Sequence, residues 1–319
     1  VIGAVLLLIS PSISYYSRYI RHDAPLMLTA VLLLWTIMKY LESGESRWLY
    51  WMAAFFSLMY TTKEASYIYT VIFLALLTVP FAWQVIHVKW KRPDFAKDIA
   101  IVAALALVMG LVFLFALMRA PMTEQALDEA GNTLAAEVAM PWWGRVAVAI
   151  AFVAALSLVV LLTHGVGESI MRRSRPFDLL MVIGTLTLPL GSAFLMRFIG
   201  GVDMLTISEV LRSGNFQTLS FAEIFASALI LGLMLAGSAA LGLWWDWDHL
   251  SSSEEEGRWL IIALIHYTIF LISYTTIFTW GIGALSGLVS SLAYWMAQHG
   301  VRRGEQPLYY YIMLGPLYE

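Results

Sequence analysis

The chain has 319 residues, of which 60% are hydrophobic and only 13% charged, with a mean hydropathy of +0.76. A soluble domain is about half apolar and about a quarter charged, so this composition excludes a water-soluble globule, and 13 Trp, 15 Tyr and 16 Phe exclude a disordered chain. The net charge of −3 gives no basic excess to draw the chain onto nucleic acid, and zero cysteines exclude disulfides, thiolate metal sites and cysteine nucleophiles.

Apolar stretches long enough to cross about 30 Å of hydrocarbon are predicted at 1–12, 24–42, 47–62, 65–86, 98–118, 144–164, 178–199, 222–244, 259–280 and 308–319. They lack the alternation of barrel strands, so helices are the expected form. The fold class read from the sequence is therefore an all-α polytopic membrane protein with about ten transmembrane helices and interfacial helices on its outer face. The stretch 281–298, rich in Gly and Ser, is placed outside the bilayer core. The chain opens on an apolar run without Met and stops soon after another begins. It reads as one transmembrane domain, 1–319, lacking an N-terminal span, a first outer loop and a C-terminal part.

Orientation follows Lys and Arg in short loops. The basic loops His87–Lys97 and Glu168–Pro176 fall on one side, taken as cytoplasmic. This topology leaves nine cations outside, and five of them lie in three short polar segments: Arg18 and Arg21, then Lys63, then Arg302 and Arg303.

In the first segment, 11–25, helical spacing puts Arg18 and Arg21 on one face, with Asp23 two residues after Arg21. An interfacial anchor with belt tyrosines and headgroup-bound arginines explains it as well as a ligand site does. In the second, 61–67, a crossing ends on Lys63-Glu64 and the next begins at once. An ion pair between the two residues closing a hairpin is one reading. The other is that Lys63, a compact cation with three donors, holds a phosphate at the membrane boundary. In the third, 293–316, a polar turn with His299, Arg302, Arg303 and Gln306 precedes Tyr309, Tyr310 and Tyr311. Those tyrosines suit either an aromatic belt or a groove for a sugar or polyprenyl phosphate. Span parity puts all three segments on one face, where an anionic, membrane-borne ligand would be met.

In these segments, SPSISYYSRYIRHD (10–23), LYWMAAFFSLMYTTKEASYIY (49–69) and YTTIFTWGIGALSGLVSSLAYWMAQHGVRRGEQPLYYY (274–311), the chain resembles the polytopic glycosyltransferases of the C-type fold. That superfamily includes protein mannosyltransferases and the lipid A aminoarabinose transferases. The closer resemblance is to the prokaryotic flippase-activity-associated, mannosyltransferase-like family. Leu308 departs from it, standing where an aromatic residue is expected after Gln-Pro.

The resemblance implies inverting transfer of a sugar from a polyprenyl-phosphate donor to an acceptor hydroxyl, outside the cytoplasm of a prokaryotic plasma membrane. It implies donor-phosphate binding by Lys63, assisted by Arg18 and Arg21. Asp23, Glu64, His299, Arg302, Gln306 and Tyr309–Tyr311 would support them, Asp23 by orienting the arginines and Glu64 by pairing with Lys63. The general base is expected in a loop ahead of Val1. The donor is a substrate, with no metal or other cofactor assigned, and the partners are membrane lipid, lipid-linked sugar and protein subunits of a membrane complex. The alternative is a catalytically silent structural or assembly subunit. A transporter would place charges mid-membrane along a path, and here nearly all charges sit at span ends. His266 is read as a neutral imidazole bonded to a neighbouring helix, 246–256 as a solvated loop, and the small residues of 232–242 as ordinary helix packing.

Overall fold

The computed structural model describes residues 23–119, 140–167, 171, 173–200, 202–250 and 258–298. Among these every regular element is helical. In chain order they are α1 (Asp23–Ser43), α2 (Ser46–Thr62), α3 (Ser66–His87), α4 (Phe95–Arg119), α5 (Trp142–Val166), α6 (Arg175–Thr187), α7 (Ser192–Phe198), α8 (Met204–Ser213), α9 (Phe221–Leu250) and α10 (Arg258–Tyr274). A helical turn (Gly283–Leu285) and a π segment (Ser286–Ser290) then lead into α11 (Ser291–Gln298).

Each crossing expected within the described residues falls on a helix. Five are long and apolar enough to span a membrane: α1, α3, α5, Phe95–Ala116 of α4 and Phe221–Asp246 of α9. A sixth is added if α6 and the bent piece Pro189–Phe198 count as one. Both α2 and α10 have only 17 residues, about 25 Å at 1.5 Å per residue. The count of ten is thus supported to five or six, and 1–12 and 308–319 lie outside the described residues. Exposed apolar rows such as Val71, Leu76, Val79, Trp83 and Ile86 on α3 suit lipid and would be costly in water.

The core forms where α1, α2, α6 and α10 meet, around Leu33, Leu49, Met52, Phe56, Leu179, Ile183, Ile262 and Phe270. Lipid supplies no hydrophobic drive between helices, so small residues and internal polar bonds matter more than in water. The ring of Trp259 lies where a Cβ on Gly242 would be, 1.9 Å from Cε2. Of the small residues at 232–242, Gly242 is therefore the one that a close approach requires, whereas a Cβ on Gly232 would meet nothing. Helices α4 and α5 form a hairpin that reaches the main body through Phe113, whose ring is 5.0 Å from that of Phe198.

Three departures from the sequence reading have local causes. The span expected at 178–199 bends by 48° after Thr187. Pro189 has no N–H to donate to the Thr185 carbonyl four residues back, and Ser238 Oγ of α9 donates to it instead, at 2.7 Å. The span expected to reach 280 stops at Tyr274, because Thr276, Ile277 and Phe278 turn left-handed, with φ of 51°, 57° and 63°. Finally, α9 runs on to Leu250, so Asp246 is not in a solvated loop: it is helical and fully buried.

After the left-handed turn the chain folds back over Tyr274. A Cβ on Gly283 would stand 2.0 Å from the Tyr274 carbonyl oxygen, and one on Gly287 would stand 2.5 Å from its ring. These two glycines let the 283–298 stretch lie against α10 and α8. The sequence reading did not single out α8, a short amphipathic helix burying Met204, Ile207, Val210 and Leu211.

Candidate functional site

The short turn TTKEAS between α2 and α3 is built by its own side chains. Thr61 and Thr62 hydroxyls donate to the Leu58 carbonyl at 3.0 and 2.6 Å, and Ser66 Oγ stands 2.5 Å from the Met59 carbonyl and 2.6 Å from that of Lys63. These bonds tie the side chains of the turn back onto the last turn of α2, beside the backbone bonds from Lys63 to the Met59 carbonyl and from Ser66 to the Lys63 carbonyl. Lys63 is the C-cap of α2, with extended backbone (φ −161°, ψ 149°). That conformation aims its side chain away from the next residue and toward the start of α1.

There Lys63 Nζ pairs with Asp23 Oδ1, the first acidic group of α1. The expected pairing of Lys63 with Glu64 is not found among the described residues, where Asp23 holds the lysine; the expected contact of Asp23 with the arginines involves residues outside those described. Sequence neighbours do not face each other across a helix end, whereas the end of α2 and the start of α1, brought together by antiparallel packing, do. Asp23 is also well placed for a carboxylate, in the first turn of a helix where the backbone dipole favours negative charge. The pair is half-buried, with Lys63 and Asp23 side chains 39% and 35% exposed.

Around the second segment, α10 and the start of α11 contribute hydroxyl contacts. Tyr67 Oη lies 3.2 Å from Ser291 Oγ and donates to the Leu190 carbonyl at 3.2 Å, while Tyr274 Oη donates to the Tyr60 carbonyl at 3.1 Å. Rings of Tyr60 and Tyr67 meet edge to face at 4.9 Å. The described parts of the first and second polar segments therefore meet at one end of the bundle. Arg18, Arg21, His299, Arg302, Gln306, Tyr309, Tyr310 and Tyr311 lie outside the described residues.

Residues 1–96 match the model of the dolichyl-phosphate-mannose-protein mannosyltransferase family. The match covers both partners of the ion pair and ends within the start of α4. It contains two of the three stretches that carry the sequence resemblance, 10–23 and 49–69, and leaves 274–311 outside. Neither the curated proteins nor the solved structures give a significant match to the chain. The long apolar helices, with this family match, make the chain an integral membrane protein whose first third is similar to that family's model.

The opposite end of the bundle holds a polar network that the sequence reading missed. Asp178 accepts from Tyr40 Oη at 2.6 Å and from Trp245 Nε1 at 2.8 Å. Asp246 accepts from the Trp259 backbone N–H at 2.9 Å, and its other oxygen lies 3.6 Å from Arg258 Nε. Arg175 donates to the carbonyls of Leu41 and Glu42 at 2.8 and 2.7 Å, a cation closing the C-terminus of α1. Among the described residues no three His or acidic side chains converge to hold a metal. His266 is fully buried among the rings of Phe56, Tyr267 and Phe270, with the backbone of Ala53 on α2 as its polar neighbour.

Proposed function

We propose that this protein is a membrane glycosyltransferase that moves a sugar from a polyprenyl-phosphate donor to an acceptor hydroxyl on the extracytoplasmic face. The observation that carries the reading is the Asp23–Lys63 pair, which joins two polar segments at one end of the bundle, inside the stretch matched by the mannosyltransferase family. Lys63 binds the donor phosphate, and Asp23 keeps the ammonium at the membrane boundary until the donor arrives. The acceptor oxygen attacks the anomeric carbon as its proton passes to a general base. The bond from that carbon to the phosphate oxygen breaks, and its electron pair stays on the phosphate. An ammonium fixed beside that oxygen stabilises the charge as it develops. Arg18 and Arg21, five and two residues ahead of Asp23 in the same segment, supply further positive charge.

The test is transfer, or slow hydrolysis, of a panel of polyprenyl-phosphate sugars by the purified full-length protein in detergent, wild type beside Lys63→Ala. Loss of one donor to a developing oxyanion is expected to lower turnover by about 10²–10³-fold. Unchanged turnover in the variant removes Lys63 from the chemistry. No turnover and no donor binding by the wild type across the panel replaces this reading with that of a silent structural subunit.

A further inference from the structure

At the end of the bundle opposite Lys63, a crevice of about 240 Å³ is lined by Lys91, Arg92, Thr163, His164, Gly167 and Trp244. Lys91 and Arg92 belong to the loop between α3 and α4, and the Arg92 N–H donates to the Gly165 carbonyl at 3.0 Å, laying that loop across the end of α5. The chain leaves α5 at Gly167 with φ +106°, a conformation that side chains rarely adopt, and a Cβ there would touch the stem of Lys91 at 3.5 Å. Four long apolar helices, α3, α4, α5 and α9, thus begin or end around one opening. Whichever way the protein faces, that opening lies where hydrocarbon gives way to water.

Two features specify the occupant. Among the described residues no carboxylate pairs with Lys91 or Arg92, and the imidazole of His164 lines the crevice beside them. Beneath His164, at helical spacing, α5 presents an exposed apolar stripe of Val153, Leu156 and Val160, 62%, 41% and 56% exposed. A cationic mouth above an apolar stripe fits an amphiphile. A soluble anion would use only the first.

We infer that this crevice binds the phosphate headgroup of an anionic membrane phospholipid, with its acyl chains laid along α5. Basic pockets between membrane helices take such headgroups. The inference does not depend on the transferase reading, since the crevice and the Asp23–Lys63 pair lie at opposite ends of the bundle.

The test is native mass spectrometry of the full chain in detergent, titrated with phosphatidylglycerol or phosphatidylcholine. Wild type should bind phosphatidylglycerol in preference. The double variant Lys91→Ala/Arg92→Ala should lose on the order of 30-fold in affinity, the worth of two cations at a membrane surface. The control Lys89→Ala/Lys97→Ala removes two cations from the same region that do not line the crevice, and should stay within about twofold of wild type because neither reaches a headgroup held there. Equal binding by Lys91→Ala/Arg92→Ala and wild type overturns the inference. So does an equal loss in both variants, which would show only general surface charge. Displacement of the lipid by millimolar inorganic phosphate assigns the crevice to a soluble anion and overturns it too.

Discussion

The two ends of the bundle each carry an ion pair, and the two pairs differ in kind. Arg258 and Asp246 are 7% and 0% exposed, and Asp246 also accepts a backbone N–H from the first turn of α10. Lys63 and Asp23 are both more than a third exposed and sit on a turn that its own threonine and serine hydroxyls already close. A buried pair bonded into the backbone is part of the architecture, because removing one charge strands the other. A half-exposed pair on a self-sufficient turn contributes little to stability. Its charges can exchange partners at lower cost than those of the buried pair.

The largest break in this comparison comes from Asp246→Ala, which leaves Arg258 buried and the start of α10 uncapped. A loss of about 3–5 kcal/mol is expected, read as a collapse of the thermal transition in detergent. Lys63→Ala, by contrast, should change stability by less than about 1 kcal/mol while lowering turnover by about 10²–10³-fold. A fall in Tm matching that of Asp246→Ala would make the two ends alike and defeat the distinction. Ser238→Ala strips the Thr185 carbonyl of its donor and should cost about 1–3 kcal/mol, whereas Ser238→Thr, which keeps the hydroxyl, should recover much of it. The smallest effect is expected of Glu64→Ala: lacking the pair with Lys63, it should leave both Tm and turnover near wild type, and a loss as large as that of Lys63→Ala would return Glu64 to the site.

The helices were legible because continuous apolar runs in a membrane protein leave the backbone no alternative to bonding within itself. Their ends were less so. The stop at Tyr274 depends on a left-handed turn through Thr276, Ile277 and Phe278, residue types that give no such signal. The Lys63 turn was legible as a polar break, but its partner was not, since Asp23 is forty positions away and only the packing of α1 against α2 brings it near. The network of Asp178, Asp246, Arg258, Tyr40 and Trp245 went unread for a similar reason. Asp246 stands in DWDHLSSSEEE, whose composition belongs to a solvated loop, and only the burial of one face of α9 shows otherwise. The glycines at 283 and 287 looked like a sign of a surface segment. They are where α10 and the following stretch come too close for a side chain.

The bend after Thr187 sets an order in time. Its proline leaves one carbonyl open, and the hydroxyl that closes it belongs to Ser238, 53 residues further along the chain. A ribosome delivers α6 before α9, so the bent span enters the bilayer with a peptide oxygen still seeking a donor, an expensive condition in hydrocarbon. Until the later helix arrives, water or the insertion machinery must serve that oxygen. The nascent bundle therefore holds a place open for α9, and one serine hydroxyl fills it.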